Sequence, residues 1–137
     1  MTTSGPSTRV AIALGSNLGD RRAHLQYAID RLHELLTGVR VSSIHETAPE
    51  GVDGPQPDYL NAVVSGTTTL GPLDLLHRLL AIERERGRTR PSLRASRTLD
   101  LDLILYGDAV IDTPELTVPH PRYKERRFVT DPLAEVW

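Results

Sequence analysis

The sequence predicts an α+β fold, with a mainly antiparallel sheet carrying two helices on one face. Three observations lead there. Four stretches read as strands, either as short apolar runs or by alternation of apolar and polar residues. Two others space their apolar residues three and four apart, which marks one face of a helix. Glycines, prolines and capping residues punctuate them in the order strand, helix, strand, strand, helix, strand.

Met1 to Thr8, rich in Ser, Thr, Gly and Pro, reads as a disordered lead-in, and residues 9–137 as a single domain. Arg9 to Leu14 carries Val10, Ile12 and Leu14 separated by alanines, as a buried central strand would. Gly15-Ser16-Asn17-Leu18-Gly19-Asp20 breaks it, and Asn17 or Asp20 can cap the helix that follows. Leu25, Ala28, Ile29, Leu32 and Leu36 share a face of that helix, and Gly38 is expected to end it. Val39 to Glu46 alternates as a second strand. Pro49, Gly51, Gly54, Pro55 and Pro57 make Thr47 to Asp58 a loop, and loops this long in a small domain are more often functional than idle. Tyr59 to Leu70, with its Val and Thr content, is the third strand.

Gly71-Pro72 opens the second helix with Pro in its favoured first position. Leu75, Leu76, Leu79 and Ile82 form its buried stripe, and Gly87 stops it. Arg88 to Ala95 is a basic loop that leads into the fourth strand. After a turn at Gly107-Asp108, Ala109 to Ile111 is expected to add a short edge strand. The tail from Pro114 to Trp137 carries Pro114, Pro119, Pro121 and Pro132, so it is expected to pack over the site without forming the core. This order is the split-βαβ plan, a ferredoxin-like βαββαβ sandwich. Such an architecture hosts many functions and by itself licenses none.

The fourth strand carries the chemistry. In Thr98-Leu99-Asp100-Leu101-Asp102-Leu103-Ile104-Leu105, the leucines at 99, 101, 103 and 105 fall on one face, while Thr98, Asp100, Asp102 and Ile104 fall on the other. The two aspartates then lie with Cα atoms roughly 6.6 Å apart. At that separation two carboxylates repel by about 3 kcal/mol at an effective dielectric of 20. A hard divalent cation offsets this cost; Mg²⁺ takes one or two carboxylates and fills its other positions with water and phosphate oxygens. Asp-x-Asp alone also fits a solvated face of an amphipathic strand. What tilts the reading is the basic run Arg84, Arg86, Arg88, Arg90, Arg94 and Arg97 just upstream, in a chain of net charge −2. Acids for a metal beside arginines for phosphates describe a nucleotide-triphosphate site.

Composition removes other classes. The chain has 137 residues and no cysteine, which excludes disulfides, thiol catalysis and thiolate metal sites. Aromatic residues make up 4% and the net charge is slightly negative, which argues against a nucleic-acid binder or a membrane-surface binder. No apolar run approaches a membrane span and no signal-peptide pattern opens the chain, so a soluble cytoplasmic protein is expected. A monomer is the expected oligomeric state. His24, His33, His45 and His77 read as structural or solvent-facing.

Four segments, in sequence order, carry a family resemblance. They are Ala13-Leu14-Gly15-Ser16-Asn17-Leu18-Gly19; Glu46-Thr47-Ala48-Pro49 with Gln56-Pro57-Asp58-Tyr59-Leu60-Asn61-Ala62; Arg97-Thr98-Leu99-Asp100-Leu101-Asp102-Leu103; and Thr117-Val118-Pro119-His120. Together, from Arg9 to the end, the chain resembles the 6-hydroxymethyl-7,8-dihydropterin pyrophosphokinases of folate synthesis. The resemblance implies transfer of the two terminal phosphates of ATP to the pterin hydroxymethyl group with release of AMP. It implies two Mg²⁺ ions held by Asp100 and Asp102, with Arg88 and Arg97 on the transferring phosphates. Arg90, Leu103, Thr117, His120 and Arg126 match nucleotide-binding positions. Thr47, Ala48, Pro49, Tyr59, Asn61 and Phe128 match pterin-binding positions: a flat heterocycle needs aromatic faces, and its donor–acceptor edge needs a buried amide. Taken alone, Phe128 reads as ordinary core packing, the arginines as a solvated loop and His120 as a surface residue.

The chain departs from the family pattern at several positions. A Trp three residues before the arginine matched by Arg97, followed by Gly-Pro, is replaced by Arg94, Ala95 and Ser96; the Arg94 guanidinium can stack in its stead. Leu80, Pro121 and Glu115 also stand where the family commonly has Gln, Tyr and, in some members, Arg. A catalytically weakened or non-catalytic nucleotide- and pterin-binding module of the same fold is the alternative reading.

Overall fold

Alternation along β1 (Thr8–Ser16) sorts its side chains onto two faces of a sheet. Val10, Ile12 and Leu14 join one buried cluster, and Ala11 joins another on the opposite side. In this computed structural model, residues 7–48, 58–86 and 99–137 are described. Thr8 already pairs with Thr68, so the strand reaches one residue into the segment expected to be a lead-in. β1 lies between β4 (Tyr59–Thr68) and β5 (Asp100–Tyr106), and β2 (Thr37–Val41) extends the sheet beyond β4. A three-residue strand, β3 (His45–Thr47), also pairs with β4. Every pairing in this sheet is antiparallel, in the order β2-β4-β1-β5. The expected α+β, ferredoxin-like plan holds.

The second expected strand, Val39 to Glu46, is in fact two strands. Residues 42–44 part them, and Ser42 stays bonded to Val63 through both its backbone N–H and its hydroxyl. Gly38 lies inside β2 with φ 61°, at a register shift against β4, instead of at the helix end. The residue between two ladder partners there needs the left-handed region that glycine adopts without strain.

α1 (Arg21–Leu35) starts at Asp20, whose carboxylate accepts from the Ala23 N–H at 3.1 Å. α2 (Pro72–Glu85) starts with Pro72 at its first turn, as its sequence predicts; Gly87, expected to stop it, lies outside the described residues. Leu25, Ala28, Ile29 and Leu32 of α1 and Leu75, Leu79 and Ile82 of α2 bury against Ile12, Leu14, Leu60, Val64, Leu101 and Leu103. Both helices thus cover one face. The helices are tied to each other by Glu85, which accepts from the Arg31 guanidinium at 2.8 Å and from the Tyr27 hydroxyl. Among the described residues no strand pairs with β5 on the side away from β1, and the buried Glu83 carboxylate of α2 accepts from the Leu101 N–H at 2.7 Å.

The tail departs from expectation. Residues 127–136 form a third helix, α3 (Arg127–Val136), and it does build core. Val129, Leu133 and Val136 pack with Ala11, Val63 and Ile104 on the sheet face opposite α1 and α2. Pro132 pointed toward irregular chain because a helical proline cannot donate to the preceding turn; here its ring is buried on the same stripe. A ten-residue helix is marginal alone, and packing on the sheet is what sustains it. Its C-terminal carbonyls are capped from the sheet: Ser65 Oγ and the Arg9 guanidinium both donate to the Val136 carbonyl, at 2.9 and 3.3 Å.

A β-bulge corrects another expectation. Ala11 pairs with Leu105 and Ile12 with Leu103, leaving Ile104 as the extra residue of β5. Alternation shifts there, so Leu105 packs with the α3 cluster, away from Leu103. The expected edge strand is displaced too. β6 (Ile111–Asp112) pairs with β7 (Thr117–Val118) in a separate two-stranded ribbon and does not extend the main sheet.

Candidate active site

Among the described residues, the face of the sheet that carries α3 is only partly covered. The uncovered part is a cavity of ≈ 180 Å³. Its floor follows from register. Gly15 of β1 pairs with Asn61 of β4 on one side and Asp100 of β5 on the other, and Ala13 pairs with Val63 and Asp102. Two rows thus run across three strands, with small residues in the middle and the acids at one side. A Cβ on Gly15 would meet Asn61 Oδ1 at 3.4 Å and the Tyr59 ring at 3.5 Å, so the absence of a side chain keeps the floor low.

Thr47 and Ala48 at the end of β3, with Tyr59 of β4, form one wall. Asn61 is 6% exposed, and its amide N–H₂ donates to Thr47 Oγ1 at 2.8 Å and to the His45 carbonyl at 3.3 Å. With both donors engaged, the Asn61 carbonyl oxygen is the atom left toward Gly15 and the cavity. Phe128 and Val129 from α3, with Arg126 just before the helix, form the opposite wall; the Arg126 guanidinium lies 5.6 Å from the Phe128 ring centre.

His120 closes the end near the aspartates. Its backbone N–H donates at 3.0 Å to the carbonyl of Ile104, the bulged residue, after a cis Val118–Pro119 peptide. Its Nδ1 accepts from the Arg122 N–H at 3.4 Å, which leaves the ring proton on Nε2. Burial, then the Arg126 charge, push the His120 pKa below the ordinary imidazole range, with Asp100 opposing, so the ring is neutral at pH 7.

The structure brings together Thr47, Ala48, Tyr59, Asn61, Asp100, Asp102, His120, Arg126 and Phe128 of the residues singled out in the sequence. Leu103 lies elsewhere: alternation turns it into the cluster under α1 and α2, and its side chain is 4% exposed. Thr117 sits half-buried in β7 and does not line the cavity. Pro49, Arg88, Arg90 and Arg97, and Arg94 with them, lie outside the described residues. Sequence reasoning passed over Ala13, Leu14, Gly15, Ile104 and Val129 as lining residues. The small-residue positions 11, 13 and 15 alternating with Val10, Ile12 and Leu14 were the available signal.

Asp100 and Asp102 supply only hard carboxylate oxygens, and among the described residues no group of three or more His, Asp or Glu side chains forms a protein-only metal cage. That donor set fits Mg²⁺, whose remaining positions go to water and phosphate. It does not fit a transition metal that wants imidazole ligands.

Residues 11–137 match the sequence profile of 7,8-dihydro-6-hydroxymethylpterin-pyrophosphokinase. The chain belongs to this family. Among its relatives, the 2-amino-4-hydroxy-6-hydroxymethyldihydropteridine pyrophosphokinase of Bacillus subtilis is 47% identical over 127 residues, covering 91% of this chain and 75% of the relative. The enzyme of the same name from Pseudomonas aeruginosa is 44% identical over 130 residues, covering 93% and 80%. As a family member the protein is a pyrophosphokinase, a transferase of folate biosynthesis. Among the described residues, no helix is long and apolar enough to cross a membrane.

Proposed function

We propose that the protein transfers the terminal pyrophosphoryl group of ATP to the hydroxymethyl oxygen of 6-hydroxymethyl-7,8-dihydropterin and releases AMP, in a reaction that depends on Mg²⁺. The observation that carries this reading is the register row Asn61–Gly15–Asp100, which puts an amide for a heterocycle edge and an acid for a metal at opposite sides of one cavity. Two strand spacings separate them, about 10 Å, with only a glycine between. A flat bicyclic ring laid on that floor has its polar edge at Asn61 and its opposite end toward the aspartates.

In this reading the Asn61 carbonyl accepts from the donor edge of the pterin, and its N–H₂ bonds to Thr47 and His45 keep the amide from flipping. Tyr59 and Phe128 flank the ring with apolar faces. Arg126 adds positive charge near the phosphates, and neutral His120 offers its Nε2–H as a donor to a phosphate or ribose oxygen. Asp100 and Asp102 hold two Mg²⁺ ions, which when bound neutralise the triphosphate charge that would otherwise repel the incoming oxygen. Arg88 and Arg97 are assigned to the transferring phosphates and Arg90 to the nucleotide, by the family pattern. Leu103 and Thr117 are assigned to the nucleotide by the family pattern alone, and neither side chain lines the cavity. Side chains do little covalent work here, so positioning and charge stabilisation supply the rate.

Incubation with ATP, Mg²⁺ and the hydroxymethyl pterin is expected to yield AMP and pterin diphosphate in equal amounts. Formation of ADP would mean the wrong bond is broken. No turnover together with tight binding of both substrates would indicate a binding module.

A further inference from the structure

The pterin wall at Thr47 and Ala48 hangs on a very short strand. β3 has three residues, pairs only with β4 among the described residues, and is separated from β2 by residues 42–44. Three ladder pairs hold a strand weakly, because an edge of that length gains few hydrogen bonds for the backbone entropy it gives up. At one end, Arg21 of α1 reaches Glu46 at 3.1 Å and the Asp58 carbonyl at 2.7 Å. The other end is held from α3.

Glu135 of α3 accepts the Ser43 N–H at 2.7 Å, the Ser43 hydroxyl at 2.8 Å and His45 Nε2 at 2.8 Å. One carboxylate thus spans the break between β2 and β3. These bonds hold its pKa down at about 2, far from the behaviour of a loosely solvated glutamate. Among the described residues, every side-chain hydrogen bond between α3 and the segment 42–48 runs through Glu135. Farther along, a groove of ≈ 350 Å³ opens between His45, Glu46 and Thr47 on one side and Arg127, Phe128 and Asp131 on the other. The two elements therefore touch at one end and diverge at the other. Phe128 lies seven positions before Glu135, two helical turns away on the same side of α3.

We propose that Glu135 is a positioning residue for the pterin: its clip on Ser43 and His45 fixes where β3 stands relative to α3, and with that the spacing between Thr47 and Asn61 on one wall and Phe128 on the other. Asn61 is coupled directly, because its amide bonds to the carbonyl of the clipped His45. Loss of the clip frees both walls at once while leaving Asp100, Asp102 and His120, which stand on β5 and its bulge, unmoved. This inference rests on the assignment of the cavity to the pterin, and its test separates the two.

The test compares wild type, Glu135→Ala and Glu135→Gln by fluorescence titration of the pterin in the presence of an ATP analogue and Mg²⁺, and by steady-state kinetics. Glu135→Ala is expected to raise the pterin Kd and KM about tenfold, the scale set by a small misplacement of a binding wall. ATP KM and kcat are expected to stay within about twofold, because the phosphate end does not depend on the clip. Glu135→Gln keeps an oxygen for the Ser43 N–H, and its amide N–H₂ can donate to the Ser43 hydroxyl or to a neutral His45 ring, so it should recover much of the loss. Ser43→Ala removes only the hydroxyl's bonds to Glu135 and His45 and carries the comparison if Glu135→Ala does not fold. Unchanged pterin affinity in the variants overturns the proposal, and so does an equal loss for both substrates, which is general loosening. Failure of the wild type to bind pterin overturns the cavity assignment itself, and this inference falls with it.

Discussion

The two faces of the sheet are built from the same strands and do different work. Toward α1 and α2, β1 presents Val10, Ile12 and Leu14, β4 presents Leu60 and Val64, and β5 presents Leu101 and Leu103. Toward α3, the intervening residues are Ala11, Ala13 and Gly15, then Asn61 and Val63, then Asp100 and Asp102. One face is filled with large aliphatic side chains under two helices. Among the described residues the other is filled only where α3 covers it, and elsewhere small and polar residues line the cavity. Neighbouring positions on one strand therefore divide between the packed core and the cavity, and a one-residue step crosses from one to the other.

The largest effect that separates the faces comes from Asp102→Ala. Turnover is expected to fall by about a hundredfold or more, as for loss of a group that stabilises transition-state charge, while the melting temperature holds. The check is initial rates beside thermal unfolding; normal turnover would place the metal elsewhere. One residue on, Leu103→Ala should do the reverse. It opens a cavity in the buried cluster and is expected to cost about 2–5 kcal/mol of stability. Activity per folded molecule should persist, which denaturant titration and rates measured well below the unfolding midpoint will show. A raised ATP KM in that variant would mean that the Leu103 side chain itself serves the nucleotide.

Gly15→Val is a milder probe of the open face. Its side chain would stand against Asn61 Oδ1 and the Tyr59 ring, so pterin KM should rise about tenfold with little change in stability. Unchanged pterin KM would mean that the ring does not lie on this floor.

The smallest effect lies at the edge of the helix-covered face. Arg31, then Tyr27, hold the Glu85 carboxyl at about 2, below its ordinary 4.5. A depressed carboxyl stabilises the fold above the unfolded pKa, and that contribution drains away as pH falls from about 4.5 toward 2. Glu85→Gln should flatten part of the acid limb of stability against pH, leaving the part due to Glu135, which titrates in the same window. An unchanged acid limb would remove Glu85 from the account.

Much of this was legible in the chain. Period-two alternation in β5 put Asp100 and Asp102 on one face, and the apolar stripes of α1 and α2 named most of their buried residues, because those patterns arise from backbone geometry alone. Leu76, however, is only partly buried, and Leu36 lies just past the end of α1. α3 was hidden by Pro132 among other prolines, although Val129, Leu133 and Val136 keep helical spacing. The switch of Leu105 to the other face was unreadable, since a bulge is a property of paired strands and not of one segment. The split of Val39 to Glu46 into two strands was equally out of reach, because it depends on the partners offered by β4 and α3.

The sequence by itself determined the kinds of element, their order, the acidic pair and the family motifs, all of which are local or depend on spacing along one segment. Only the tertiary structure decided which residues share the cavity: Gly15 between Asn61 and Asp100, the bulge that anchors His120, and α3 bringing Phe128 across from Thr47. The physical reason is that register and packing join residues far apart in the chain. No local pattern records which partner a strand or helix will meet.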